Sequence, residues 1–457
     1  MTALSKFIML ILAAGGMLSG CASSDFHEKA LHSDTLDYTV HVPPSEIPVL
    51  LPFNESPALR GYIKEVTAHN RDLKTSMASI QAFSYAAHVA GVSRWPEVNA
   101  GFQGERDNQT LADNKPLNRV QPSMNVSWTL DIWNKLSDQT EAEQLRTQQA
   151  YYNYENTRRA LIAEAMTSWL DLWQLTKRET LLGQRIKSAN NLLKTQEDRY
   201  AQGLSSYGDM VTQRDILQQL REQDAVINAQ ILEQLYRLNI LRGQPPQTDL
   251  NISKEELSPV LTELPVSIPA TVLAERPDIQ SAFADIQILD KETSAAYKAL
   301  LPQITLSGEA VKSGTTLANA MSGNILWQLV GGITQPVFNA GSLRSQARQK
   351  SKEAESAFYT YEQKVLLAME EVQNALQQEQ ALAMQEKLVY ARWQDLQKKQ
   401  NSRADNYRDG AMSVEDYLSA RQEALSVRDG LFSARAAYLK NRITLAVALG
   451  QELGIQK

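Results

Sequence analysis

Cys21 is the only thiol in a chain of 457 residues, so neither an intrachain disulfide nor a multi-cysteine metal site is open to it. It closes the run Leu18-Ser19-Gly20-Cys21, and what it offers is a single nucleophilic sulfur. The five histidines, at 27, 32, 41, 69 and 88, all fall in the first fifth of the chain. His27, His32 and His41 could gather a metal ion, but their polar, proline-studded surroundings fit solvated imidazoles better. No His-Glu-x-x-His, Walker loop, Gly-x-Gly-x-x-Gly or Gly-x-Ser-x-Gly occurs. No metal, no cofactor and no enzyme activity is expected. Two polar turns also carry carboxylates: Asp209 in one, and Glu415 and Asp416, with Tyr407 and Arg421, in the other.

Lys6 precedes the apolar stretch from Phe7 to Ala14, too short to cross a bilayer but long enough for a signal-peptide core. Leu18-Ser19-Gly20-Cys21 resembles a bacterial lipobox. That resemblance implies removal of residues 1–20 as a signal peptide and acylation of Cys21 on its thiol and its new amino group. Ala22 rather than Asp follows, which implies sorting to the outer membrane. Several acyl chains hold a protein firmly where one does not. The chain is expected to be exported and tethered, with 21–57 as a lipid-anchored extended segment. Its formal charge of −6 grows more negative once Lys6 leaves, which argues against a nucleic-acid partner.

The elements that position the two turns are written twice. Trp95-Pro96 matches Leu301-Pro302, Trp133-Asn134 matches Phe338-Asn339, Tyr200–Gly203 matches Tyr407–Gly410, and Arg242-Gly243 matches Leu449-Gly450, all 205–207 residues apart. The first repeat is read as 58–243 and the second as 270–450, each a helix, two strands, a very long helix, a turn and a long helix. Between them 244–269 carries Pro245, Pro246, Pro259, Pro265 and Pro269 and reads as a linker. Residues 451–457 form a tail.

Strict alternation marks the strands. Val120, Pro122, Met124, Val126, Trp128 and Leu130 are interleaved with Gln, Ser, Asn, Ser and Thr, and Val98, Ala100 and Phe102 alternate with polar neighbours. Ile304, Leu306 and Ala310 do the same, as do Ile325, Trp327, Leu329 and Ile333 less cleanly. Such segments fit tilted transmembrane strands, or a soluble sandwich with one wet face. The lipid address favours the membrane. Four strands cannot close, and open edges are not tolerated in hydrocarbon, so several copies are required. Two would give eight strands and three would give twelve, with a wider lumen.

From Leu136 to about Tyr200 and from Leu343 to about Tyr407 no proline interrupts the helical pattern. The second stretch carries a seam spaced alternately four and three: Ala354, Phe358, Tyr361, Val365, Ala368, Val372, Ala375, Glu379, Leu382, Glu386, Val389, Trp393 and Leu396. Period 3.5 is that of a coiled coil. Helices of this kind read as the wall of a tube.

Leu273-Ala-Glu-Arg276-Pro277-Asp278-Ile279, followed by Leu300-Leu301-Pro302-Gln303-Ile304-Thr305-Leu306-Ser307-Gly308, closely resembles motifs of the TolC-like outer-membrane factors of tripartite efflux systems, in their lipoprotein branch. Leu130-Asp131-Ile132-Trp133 and Gln335–Gly341 resemble that family's strand-to-helix junctions. The resemblance spans essentially the whole mature chain. It implies an α+β membrane protein: a homotrimer whose twelve-stranded outer-membrane β-barrel continues into a long periplasmic α-helical barrel. It further implies a passive exit duct, served by a periplasmic adaptor and an inner-membrane pump. The alternative is a lipid-anchored periplasmic coiled-coil spacer or adaptor that forms no pore.

Tyr200–Asp209 resembles the family's adaptor-docking tip, which implies roles there for Gly203, Leu204 and Ser205, with Gly410 as the counterpart in the second turn. Gly203 and Gly410 also suit helix ends that need no partner. In the family a ring of aspartates narrows the pore at the second turn, and Asp416 matches its first member. Asp209 and Tyr407 match a pair bonded to each other in relatives. Glu415 lies next to Asp416, while Ser419 and Met412 stand where a second aspartate and an arginine occur.

Overall fold

A computed structural model describes Phe26, Lys29, residues 56–107, 117–250, 270–451 and 453. The signal segment 1–20, Cys21, His27, His32, His41, nearly all of 21–57, linker residues 251–269 and most of the 451–457 tail lie outside the described residues.

Helix α1 (Pro57–His69) starts with proline in its first turn, where a missing N–H costs nothing, and with Ser56 as N-cap. Asn70 ends it and starts α2 (Arg71–Val92): its side-chain Oδ1 accepts from Asp72 and Leu73 N–H, while its side-chain Nδ2 donates to the Leu241 carbonyl at 2.9 Å. One expected helix is thus two. Strands β1 (Glu97–Asp107) and β2 (Leu117–Leu130) follow, then α3 (Lys135–Ala201) and α4 (Tyr207–Leu241). The second half opens with a 3-10 turn (Ala270–Glu275) and runs through α5 (Pro277–Lys298), β3 (Gln303–Val311), α6 (Leu317–Ser322), β4 (Leu326–Thr334), α7 (Ser342–Arg408) and α8 (Val414–Ala448). Sequence reading missed α6. It is a short turn capped by Thr316 between two strands, with too few residues to show a helical period.

Helices α3 and α7 each have 67 residues, and α4 and α8 each have 35. At 1.5 Å per residue the longer pair each extend about 100 Å. The repeat is nevertheless one of element order and not of compact folding. The chain divides into one unit containing Met77–Asn153 and Asp278–Lys364, and another containing Tyr154–Pro277 and Val365–Lys457, so each draws on both halves.

The first unit holds the sheet, ordered β1-β2-β3-β4 and antiparallel throughout. Its register places Val98, Val126, Gly308 and Leu329 in one row, and Leu130, Ile304 and Ile333 in another. Leu329 is 74% exposed and Trp327 77%, so the protomer alone leaves this apolar face uncovered. Both strand-to-helix junctions turn through positive φ, at Asn134 (59°) and at Ala340 and Gly341 (51° and 81°). Asp131 fixes the first junction by accepting from Leu136 N–H, Ser137 N–H and the Ser137 hydroxyl at 2.7–2.9 Å. Burial pushes the Asp131 carboxyl up, but these donors and Lys135 N–H outweigh it and hold the group below the usual carboxylate value.

The second unit is built on helix-to-helix packing. Leu182, Ala189 and Leu193 of α3 pack on Met210, Leu217, Leu220 and Ile227 of α4. Trp173 meets Phe432 of α8 edge-on at 5.6 Å. All thirteen seam positions of α7, in both units, are buried or half-buried. Its two carboxylates have partners on α8. Glu379 pairs with Arg442, with side chains 7% and 2% exposed, and also accepts from the Asn441 amide at 2.9 Å. Glu386 pairs with Arg435 at 2.8 Å.

Candidate functional site

The two turns joining α3 to α4 and α7 to α8 have the same construction. Each long helix ends in a glycine at positive φ, Gly203 at 72° and Gly410 at 73°. In the first turn Leu204 N–H reaches the Arg199 carbonyl at 2.8 Å and Gly203 N–H reaches the Tyr200 carbonyl at 2.9 Å. In the second, Ala411 N–H reaches Asn406 and Gly410 N–H reaches Tyr407. This is the Schellman ending, in which the left-handed residue lets two orphan carbonyls be satisfied. A Cβ on either glycine would meet nothing within 4 Å, so backbone conformation alone demands them.

Each next helix starts with serine. Ser206 accepts from Asp209 N–H at 3.1 Å, and the Asp209 carboxylate accepts from the Ser206 N–H and hydroxyl, completing a capping box. Ser413 accepts from Asp416 N–H at 3.1 Å and donates its hydroxyl to the Asp416 carboxylate at 2.8 Å. The Ser206 hydroxyl and N–H are the main reasons the Asp209 carboxyl lies below its ordinary value, with help from Ser205 and the Arg199 charge.

One expectation changes here. Asp209 and Tyr407 are not joined within the protomer: the Asp209 carboxylate is held in its cap, and the Tyr407 ring stacks on Tyr417 at 5.1 Å and 8°. The cap wins because its donors are three residues away on the same turn. Glu415, next to Asp416, is engaged by the other hairpin. Its carboxylate pairs with Arg199 at 3.0 Å and accepts from the Gln196 amide at 3.1 Å. Gln196 in turn accepts from the Ser205 hydroxyl at 2.9 Å, so a polar chain links the first turn to the start of α8. Sequence reasoning missed Gln196 and Arg199. A faint signal existed, since a cation in a last turn and an anion in a first turn both favour the helix dipole. Their pairing requires knowing which hairpins are neighbours.

Leu204 remains 64% exposed at the outermost bend, and Ser205 lies beside it. Asp416 and Ser419 are exposed and Met412 half-buried. Elsewhere, Glu143, Arg146, Glu292 and Lys350 line a cleft among α3, α5 and α7, and they pair with one another. Among the described residues no His, Cys, Asp and Glu group could hold a metal ion, and no helix is long and apolar enough to cross a membrane.

An exposed apolar sheet face joined to paired 67- and 35-residue helices defines the α+β channel fold. The family described as outer membrane efflux protein matches residues 62–244 and 268–451, and the chain belongs to that family. Nodulation protein T of Rhizobium leguminosarum bv. trifolii is 24% identical over 411 residues, 87% of this chain and 86% of the relative. The probable outer membrane lipoprotein SilC of Salmonella typhimurium is 24% identical over 413 residues, 87% of each chain. The crystal structure of the Campylobacter jejuni CmeC outer membrane channel superposes with a TM-score of 0.78 at 21% identity, covering 89% of this chain and 88% of that one. The protein is thus an outer-membrane efflux channel, which favours the duct over the periplasmic spacer or adaptor alternative.

Proposed function

We propose that three copies close their sheets into a twelve-stranded barrel and act as the passive exit duct of a tripartite efflux system. The observation that carries this is the sheet: four strands with an uncovered apolar face and two unpaired edges cannot stand alone in hydrocarbon. Edge-to-edge pairing of β1 with β4 of the next copy removes every edge, and three copies leave a lumen wide enough for cargo. The duct performs no chemistry. A periplasmic adaptor and an inner-membrane pump supply substrate and energy, with adaptor helices docking at Leu204 and Ser205 in the Gly203 turn and at the Gly410 turn. Asp416 narrows the periplasmic end, and Tyr407, Asp209 and Glu415 hold the two turns that carry it. Acyl chains on Cys21 tether the amino end to outer-membrane lipid.

The test is to crosslink and size the purified protein, then record from planar bilayers. Trimers that insert and conduct support the duct. Monomers, or trimers that bind vesicles through lipid alone and never conduct, overturn it.

A further inference from the structure

The sheet register puts four polar residues, one from each strand, at a single level. Asn99 lies opposite Asn125, Asn125 opposite Glu309, and Glu309 opposite Gln328. They share the face opposite Val98, Val126 and Leu329, which in a transmembrane barrel is the lumen. The Gln328 amide donates to the Glu309 carboxylate at 2.8 Å, and the Asn99 amide donates to Glu97 one level along at 3.1 Å. The adjoining levels are mostly Ser, Gly and Val, such as Gly101, Ser123, Ser127 and Ser307. Apart from Glu97 and Leu326, the side chains on the two adjoining levels are shorter than Glu309 and Gln328.

Charge is uneven at this level. Among the described residues Glu309 has a neutral amide and no cation as partner. The nearby basic groups are engaged elsewhere: Arg119 faces Glu105 at 3.8 Å, and Lys312 donates to the Met321 carbonyl at 2.7 Å. Among the side chains described on the lumen face, the carboxylates Glu97, Glu105 and Glu309 stand against the guanidinium of Arg119.

We infer that Asn99, Asn125, Glu309 and Gln328 form a polar girdle inside the barrel that prefers cations, with Glu309 a specificity-determining residue independent of the periplasmic turns. The inference rests on the trimeric channel reading. Threefold repetition places three carboxylates and nine amides at one level. The amides offer donors and acceptors to polar cargo, and the carboxylates repel anions, as acidic rings do in cation-selective pores. Three unit charges roughly 10 Å from an axis, in water at ~0.1 M salt, alter a cation-to-anion permeability ratio about three- to fourfold.

The experiment measures reversal potentials of the full-length trimer in planar bilayers under a potassium chloride gradient. Asp416→Asn serves as background, so that the carboxylate of the second turn is neutral. Cation preference is expected to persist in that background, to fall about threefold when Glu309→Gln is added, and to rise with Asn125→Asp, which adds charge at the same level. The two changes are near-isosteric and move the ratio in opposite directions, so a folding defect in one leaves the other decisive. A conducting trimer whose ratio is unmoved by both overturns the girdle alone. A trimer that inserts and never conducts overturns the channel reading and the girdle with it.

Discussion

Replacing Arg199 by alanine removes the one ion pair that ties the first turn to the start of α8, and its size can be worked from the geometry. Arg199 and Glu415 meet at 3.0 Å with side chains 43% and 25% exposed. The contact is single-point, because Arg199 Nε is buried without a hydrogen-bond partner and Nη2 only grazes the Leu204 carbonyl at 3.5 Å. A partly exposed pair of this kind contributes about 0.5–1 kcal/mol, at the level expected for surface ion pairs. If each copy moved independently, Arg199→Ala would shift its turn's closed-to-open equilibrium about threefold. If the three copies open together, three lost pairs amount to roughly 2 kcal/mol and about 30-fold, since 1.4 kcal/mol is a factor of ten. Single-channel recording separates these outcomes through open probability. Tyr407→Phe, which keeps the stack on Tyr417, should change it little. The charge-swapped pair Arg199→Glu with Glu415→Arg should recover part of the closed state. An open probability in Arg199→Ala equal to wild type would falsify the argument that this pair restrains the turn.

Leu204→Asp puts a charge on the exposed bend where an apolar contact is proposed, so efflux should fall in a strain dependent on this channel while trimer yield stays normal; unchanged drug susceptibility rejects the contact. Cys21→Ser should abolish palmitate labelling and weaken efflux without eliminating it, because the barrel still inserts; persistent labelling would move the lipid elsewhere. Arg442→Met leaves the Glu379 carboxylate buried without its cation and should destabilise by about 3–5 kcal/mol, read as a lower midpoint in thermal unfolding of detergent-solubilised trimer, with Glu379→Gln added to it restoring part of the loss. The Asp131 carboxyl is held below its ordinary value of 3.8 in the fold, so its contribution to stability is complete above that value and is lost as pH falls through the lower folded value. Asp131→Asn should therefore flatten the acid limb of a stability-versus-pH curve, and an unchanged limb rejects that account.

Much of the architecture was legible because its signals are periodic. Alternation over β2 and β3 gave both the strands and the face each side chain takes, since the pleat has a period of two. The 3.5-residue seam of α7 was readable for the same reason, down to the two acidic positions that interrupt it. The turns were legible as turns, because glycine at a helix end is local chemistry. What the sequence could not decide was which partner each side chain takes across elements. The Asn70 break between α1 and α2 depends on an amide bond to Leu241, and the Glu379 and Glu386 interruptions make sense only once α8 brings Arg442 and Arg435 alongside. The family resemblance implied an Asp209–Tyr407 pair, yet within the protomer a cap three residues away holds one and a neighbouring ring holds the other. The partners of Glu415 were not legible, because Arg199 and Gln196 lie on a different hairpin more than two hundred residues earlier. Local periodicity is set by backbone geometry and is written in each stretch of chain, whereas ion pairs between distant segments exist only after packing has chosen the neighbours.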